Sequence, residues 1–246
     1  MHPSPMRKAP PPAPCQAAAT LADVPVVYDC SGALWMPECG TLVFSDLHFE
    51  KGTSFGEKGI FLPPYDTRRT LRMMGEVIER YRPMIIISLG DAFHDRRAEG
   101  RMSEADGATL EGLMKPQRWV WILGNHDPEP PARFAGEVHE DVEIGGLSFG
   151  HEPCASGNWQ VAGHMHPAAR VAHEGRSLRR RCFVSDGERL ILPSFGAYTG
   201  GLNVLDAAYQ PFFTKGFDVH MLGKSSTFRV PRKALRADSQ SVMFRG

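Results

Sequence analysis

Residues able to bind metal stand at the ends of apolar runs. LVFS stops at Asp46 and His48, IIISLG at Asp91, WVWILG at Asn125 and His126, LSFG at His151, and QVAG at His164 and His166. Taken singly these fragments carry little weight, since a histidine at a strand end more often satisfies ordinary hydrogen bonds than ligates a metal. GNHD at 124–127 is different, expected by chance only about once in a thousand chains of this size from average residue frequencies. GHMH at 163–166 is comparably rare. The four histidines His48, His151, His164 and His166, the carboxylates Asp46 and Asp91 and the amide of Asn125 form a donor set that suits manganese, iron or zinc; calcium or magnesium would want mostly oxygen. No thiolate is required. Two divalent ions bring four positive charges, the carboxylates remove two and a bridging hydroxide one. The single charge left over suits a phosphodiester monoanion, whose slow hydrolysis needs a nucleophile at neutral pH and stabilisation of charge in flight.

These residues are dispersed, so the elements between them must bring them together. MIIISLG and WVWILG are continuous apolar runs of strand length, as expected for strands buried on both faces. TLVFS precedes them. Leu71, Met74, Ile78 and Tyr81 recur at helical spacing, which predicts a helix over 67–81 capped by Asp66 and ended by Pro83. A second helical stretch over 102–114 lies between the two apolar strands, making a β-α-β-α-β order and hence an α/β fold. Before it, VPVVYD and ALWMP flank Cys30, Ser31 and Gly32 as a hairpin; after it, GLSFGH, QVAGH, ARVAH, RCFVSD and RLILPS are short strands that predict a second sheet packed on the first. Sites in open α/β sheets form at the carboxyl ends of strands, so the ligand-type residues converge on one crevice. Gly90 and Gly163 let the backbone pass close to that crevice, and Met73, Met74 and Met84 fill core.

The chain length fits one domain. Lys plus Arg and Asp plus Glu are both 28, so any affinity for a polyanion must come from local patches. Residues 1–20 are Pro/Ala-rich and read as a disordered or polyproline-like arm, 21–223 as the domain, and 224–246, with six basic residues against one acidic, as a loose tail. Five cysteines without a CxxC pair disfavour a disulfide framework and suit a reducing cytoplasm. The chain shows neither a secretory leader nor a membrane-spanning stretch. Residues 49–69 make a long connection that presents Lys51, Arg68 and Arg69 to phosphate. Arg176, Arg179, Arg180 and Arg181, expected in a hairpin connection, form a cationic patch for a polynucleotide.

The order D-x-H, GD, GNHD, H, GHxH resembles the calcineurin-like metallophosphoesterase superfamily over roughly residues 41–200. That resemblance implies a two-sheet β-sandwich flanked by helices, one metal on Asp46, His48 and His166, the other on Asn125, His151 and His164, and Asp91 bridging them. It implies in-line attack by a metal-bridging hydroxide, with His126 as a catalytic residue outside the ligand set. Many members carry an acidic residue three positions after the bridging aspartate to orient the catalytic histidine; here His94 stands there and Asp95 follows. The GD-x-F-H form is similar to the double-strand-break nuclease branch, which implies that His94 assists at the site. FSDLHFEKGTSF, LPPYDTRRTL, GDAFHD and the closing GHxHP are most similar to the bacterial ligase-associated DNA damage response endonucleases. This finer likeness implies DNA as substrate, a role in repair, functional association with a DNA ligase and helicase, and manganese ahead of iron or zinc. Two other readings stand beside it: a small-molecule phosphatase or nucleotide phosphodiesterase with the same centre, and a noncatalytic scaffold on the same fold. Retention of His126 and every ligand position argues against the scaffold.

Overall fold

The computed structural model describes residues 15–60, 62–63, 65–129, 131–155, 160–173 and 175–238; positions 1–14 of the expected arm and 239–246 of the expected tail lie outside the described residues. Strand β1 (Gln16–Leu21) pairs antiparallel with β2 (Val24–Asp29). Residues 16–20 are therefore an edge strand rather than part of an arm, because Ala17 and Ala19, two apart, pack on the core between the sheets. The same register sets Cys15 beside Cys30, joined in a disulfide with a Cα–Cα distance of 5.2 Å. The cysteine spacing disfavours a disulfide framework; the hairpin supplies, for this one pair, the proximity that spacing does not show.

The expected hairpin of β2 with β3 (Leu34–Met36) is present, and β3 continues antiparallel into β4 (Thr41–Ser45). Next come α1 (Lys51–Glu57), α2 (Asp66–Tyr81), β5 (Ile85–Leu89), α3 (Ala98–Arg101), α4 (Glu104–Met114), β6 (Arg118–Ile122) and β7 (Glu137–His139). Strands β4 to β7 are parallel. Side chains alternate across them: Phe44, Ile86, Trp119 and Trp121 face the helices, while Val43, Ile87, Val120 and Ile122 face the second sheet. Burial on both faces is why these strands read as unbroken apolar runs.

Two local readings change. Asp66 is the first helical residue of α2 and does not cap it; its buried carboxylate accepts from the Gly52 N–H at 2.9 Å and ties α1 to α2. The connection over 49–69 thus contains a helix where a loop was expected.

The second sheet is built from β8 (Asp141–Ile144), β9 (Leu147–Gly150), β10 (Val161–Ala162), β11 (Pro167–His173), β12 (Arg176–Ser185), β13 (Leu190–Ile191) and β14 (Leu202–Asn203). Joined to it are β15 (Asp218–Leu222), β16 (Thr227–Val230) and β17 (Leu235–Arg236). Residues 224–238 are accordingly not a loose tail: β16 pairs with β15, β17 pairs with β11, and Leu235 enters the core on the outer face of this sheet. Among the basic residues that suggest a tail, Arg229 and Arg236 sit directly beside Val230 and Leu235, which pack on that core. The architecture is α/β with two multi-stranded sheets and few helices. No helix among the described residues is long and apolar enough to cross a membrane.

Candidate active site

The residues singled out by sequence follow strand ends along one seam of the molecule. Asp46 and His48 leave β4, Asp91 leaves β5, Asn125 and His126 follow β6, His151 follows β9, and His164 and His166 follow β10. Asp46, His48, Asp91, His164 and His166 all have left-handed backbone, with φ of 53°, 45°, 47°, 65° and 45°. L-residues avoid that region, and its recurrence at these positions marks strain held by the surroundings. The holding contacts are main-chain hydrogen bonds: His48 N–H donates to Asp91 O at 2.9 Å and Gly196 N–H to Asp46 O at 3.1 Å. Glycine is needed beside them. A Cβ on Gly90 would strike the His151 ring, one on Gly124 the Asp91 carboxylate, and one on Gly163 the Ser45 hydroxyl and, at 2.7 Å, Asp46 Oδ2.

The side chains gather in two groups that share Asp91. Asp46, His48, Asp91 and His166 form one, and Asp91, His151 and His164 the other. In the first, His166 Nε2 lies 3.0 Å from Asp46 Oδ1 and 3.3 Å from His48 Nε2. In the second, His151 Nε2 lies 3.4 Å from Asp91 Oδ1, and Asn125 Oδ1 is 3.1 Å from His151 Nε2 and 2.9 Å from His164 Nδ1. Asp46 and Asp91 are almost wholly buried.

These donors fit a cation at each group. His151 faces the Leu89 carbonyl with Nδ1 at 3.3 Å, so its Nε2 lone pair points at the oxygens of Asp91 and Asn125. Lone pairs crowded on one point need a proton or a metal between them. Without metal the proton takes the place: burial alone would lower the His151 pKa, but the Asp91 and Asp46 carboxylates and the Leu89 carbonyl push it up to about 9. His48 has no such excess of acceptors, and burial brings it down to about 3. Burial would raise Asp91, yet its contacts with His151, the His126 N–H and His48 hold it well below the usual carboxylate range.

His126 is exposed at the mouth of the site. Its main-chain N–H donates to Asp91 Oδ1 at 2.9 Å, and its ring Nδ1, carrying the hydrogen, donates to the His94 carbonyl at 2.8 Å. Nε2 is therefore the nitrogen left for a substrate, 4.0 Å from Asp91 Oδ2. A main-chain oxygen, rather than an acidic side chain, orients this ring. Asp95 is engaged elsewhere, accepting from Arg101 at 2.9 and 2.7 Å. The His94 ring stacks on His126 with centroids 5.3 Å apart and on Phe55 at 6.1 Å, and burial, with Lys51 and His126 nearby, lowers its pKa to about 4. The fourth residue of GNHD, passed over in the sequence reading, organises its own loop: Asp127 accepts from the Gly124 and Phe93 N–H groups at 3.2 and 3.0 Å.

The expected phosphate-binding residues divide. Lys51, at the start of α1, lines an open cleft of about 740 Å³ together with His164 and His166. Arg68 turns to Asp106 of α4 at 3.2 Å, and Arg69 is exposed on α2. The arginine run is not a hairpin connection but the strand β12 itself, so alternate residues face opposite ways. Arg181 donates to the carbonyls of Ser194, Phe195 and Gly196, and Arg179 to Gly201 O and Asp238. Both are engaged with the wall of the site, Arg179 with about a third of its side chain still exposed. Arg176 and Arg180 remain exposed.

With this geometry, the match of residues 41–194 to the calcineurin-like phosphoesterase family model completes the assignment: the chain belongs to that family and is a hydrolase acting on phosphoester bonds. Among solved structures it is similar to the nuclease MPE of Pseudomonas putida, with 24% identity and a TM-score of 0.68 over 87% of this chain and 100% of that one. It is also similar to Yfce, a phosphoesterase from E. coli, with 18% identity and a TM-score of 0.40 over 80% of this chain and 99% of that one. No curated protein matches it.

Proposed function

We propose that the chain is a two-metal phosphodiesterase that cuts DNA. In this reading one divalent ion is held by Asp46, His48 and His166, a second by Asn125, His151 and His164, and Asp91 is common to both, with manganese as the first candidate ahead of iron or zinc. The observation that carries it is the direction of the two Asp91 oxygens: Oδ1 lies 3.4 Å from His151 Nε2 in one group, and Oδ2 lies 3.9 Å from His48 Nε2 in the other. Bound there, such ions would supply Lewis acidity and a nucleophile at neutral pH.

The chain's own residues account for the remaining work. His126, with Nδ1–H already given to the His94 carbonyl, presents Nε2, and an imidazolium there hands a proton to the departing oxygen. His94 holds that ring by stacking and stays neutral near pH 7. Lys51 offers a point charge to the nonbridging phosphate oxygens. Arg69, Arg176 and Arg180 are free to track a backbone, whereas Arg68, Arg179 and Arg181 are already engaged. DNA as the polymer is supported by the GDAFH motif and by the fold shared with a nuclease. Endonuclease action and a place in repair beside a DNA ligase and helicase rest on the motif resemblance, and a cytoplasmic location on the odd number and scatter of the cysteines.

Metal analysis followed by assays on single-stranded DNA, duplex DNA, cyclic nucleotides and a phosphomonoester tests this reading. We expect about two ions per chain and hydrolysis of DNA. His126→Ala should keep its metal while turnover falls about 10²- to 10⁴-fold. Hydrolysis confined to the monoester or cyclic nucleotide would transfer the site to a small-molecule substrate.

A further inference from the structure

Beyond the phosphate chemistry, we propose that the cleft beside His164 and His166 receives an unpaired nucleobase of the strand being cut, with Met165, Leu202 and Phe212 as its stacking walls and Glu152 reading the base edge. The proposal rests on the DNA phosphodiesterase reading above.

The cleft, of about 740 Å³, lies within the range of about 300–1,000 Å³ that encloses a small ligand. It is continuous with the reaction centre, since Lys51, His164 and His166 line it. Away from them its lining turns apolar. Leu202 is a large aliphatic side chain left 36% exposed on β14, and it lines this cleft. Phe212 and Met165 are half-buried against the core of the second sheet and present their remaining surface to the same space. An aromatic ring and a thioether beside an aliphatic chain accept the face of any base. Gly201 permits the wall to come this close: a Cβ there would lie 2.5 Å from the His166 carbonyl oxygen and 2.9 Å from the Ala168 Cβ.

Charge narrows the occupant. A second phosphate is disfavoured, because Glu152 is exposed and lines the same cleft. A carboxylate instead accepts from base N–H groups: the exocyclic amine of adenine or cytosine, or the adjacent N1–H and N2–H of guanine, whereas thymine offers only N3–H, set between the oxygen acceptors O4 and O2. A base inside a helix has neither a free face nor a free Watson–Crick edge, so the cleft suits a base outside a helix.

The metal-loaded protein is assayed on a short single-stranded oligonucleotide in which one abasic position is moved along the sequence, with a bis-aryl phosphate diester as reference. One position relative to the cut should be sensitive, kcat/KM falling about 5- to 100-fold when its base is removed. Phe212→Ala should lower the ratio of oligonucleotide to diester hydrolysis by a similar factor, with no further loss on the abasic strand. Ala208→Trp, at an exposed lining position outside the core, fills the cleft and should act in the same way, which covers the case that the Phe212 variant folds poorly. Binding gives a second readout: 2-aminopurine at the sensitive position should be quenched on binding and regain its fluorescence in Ala208→Trp. Glu152→Gln should abolish a preference of about three- to tenfold for an amino-bearing base over thymine there. Oligonucleotide cleavage indifferent to every abasic position, with an unaltered ratio in Ala208→Trp, overturns the base site and leaves the nuclease reading intact. Diester hydrolysis without any oligonucleotide cleavage overturns both.

Discussion

The two sheets contribute different chemistry to the site. The first supplies both carboxylates, the amide, His48 and His126, and among these Asp46, His48 and Asp91 are almost completely buried. The second supplies only imidazoles: His151, buried, and His164 and His166 on the more open side. Neither sheet completes a ligand group, because His166 must cross to Asp46, and His151 and His164 must cross to Asp91 and Asn125. Negative charge fixed on one sheet and neutral or protonated donors on the other make the site a clasp across the apolar seam. Assembly of the site and docking of the sheets should therefore report on each other.

The largest effect belongs to the residue that faces both groups. Asp91→Asn should lower activity by about 10³-fold or more and reduce bound metal, while His48→Ala, which touches one group, loses less. Equal and small losses would separate Asp91 from the clasp. Chelation should come next: if metal is present at about a hundred times its dissociation constant, its removal costs about 2.7 kcal/mol, which for this size is roughly 5–10 °C in Tm. An unchanged Tm would mean that the apolar seam alone docks the sheets.

A pH series sharpens the same contrast. With its folded pKa raised to about 9, His151 stabilises the metal-free protein fully below its unfolded value of about 6.5, and this contribution is lost as pH rises through 9. Coordination requires the neutral ring, so metal affinity moves the opposite way, rising up to about tenfold per pH unit until pH 9. Calorimetry in buffers of different ionisation enthalpy should find a proton released on metal binding at pH 7.5; binding without proton release would remove His151 from the ligand set. The smallest effects separate the arginines of β12. Arg181→Ala leaves carbonyls of the site wall unpaired and should cost about 1–3 kcal/mol of stability. Arg180→Ala should leave stability unchanged and reduce the salt dependence of DNA binding by about one unit of log-log slope. A reversal of the two would place Arg181 on the nucleic acid and Arg180 in the wall.

What the amino-acid order determined by itself is local. GNHD, GHMH, D-x-H and GD name their residues because type and spacing within a few positions already specify a strand end and a set of donors, and the strands of the parallel sheet show as apolar runs because both faces are covered. Elements that depend on distant partners were not legible. Helix α1, with two glycines in seven residues, has little intrinsic preference to form; the Asp66 carboxylate receiving the Gly52 N–H, and the Thr53 and Thr67 hydroxyls donated to Glu50 at 2.7 and 2.8 Å, hold it in place. The Cys15–Cys30 bridge needed the β1–β2 register, and the inward turn of Arg179 and Arg181 needed the pairing of β12 with its neighbours. The partner of His126 was the least visible of all. A main-chain carbonyl belongs to every residue, so no side-chain code announces it, and only the tertiary structure decides that the one at position 94 faces the ring.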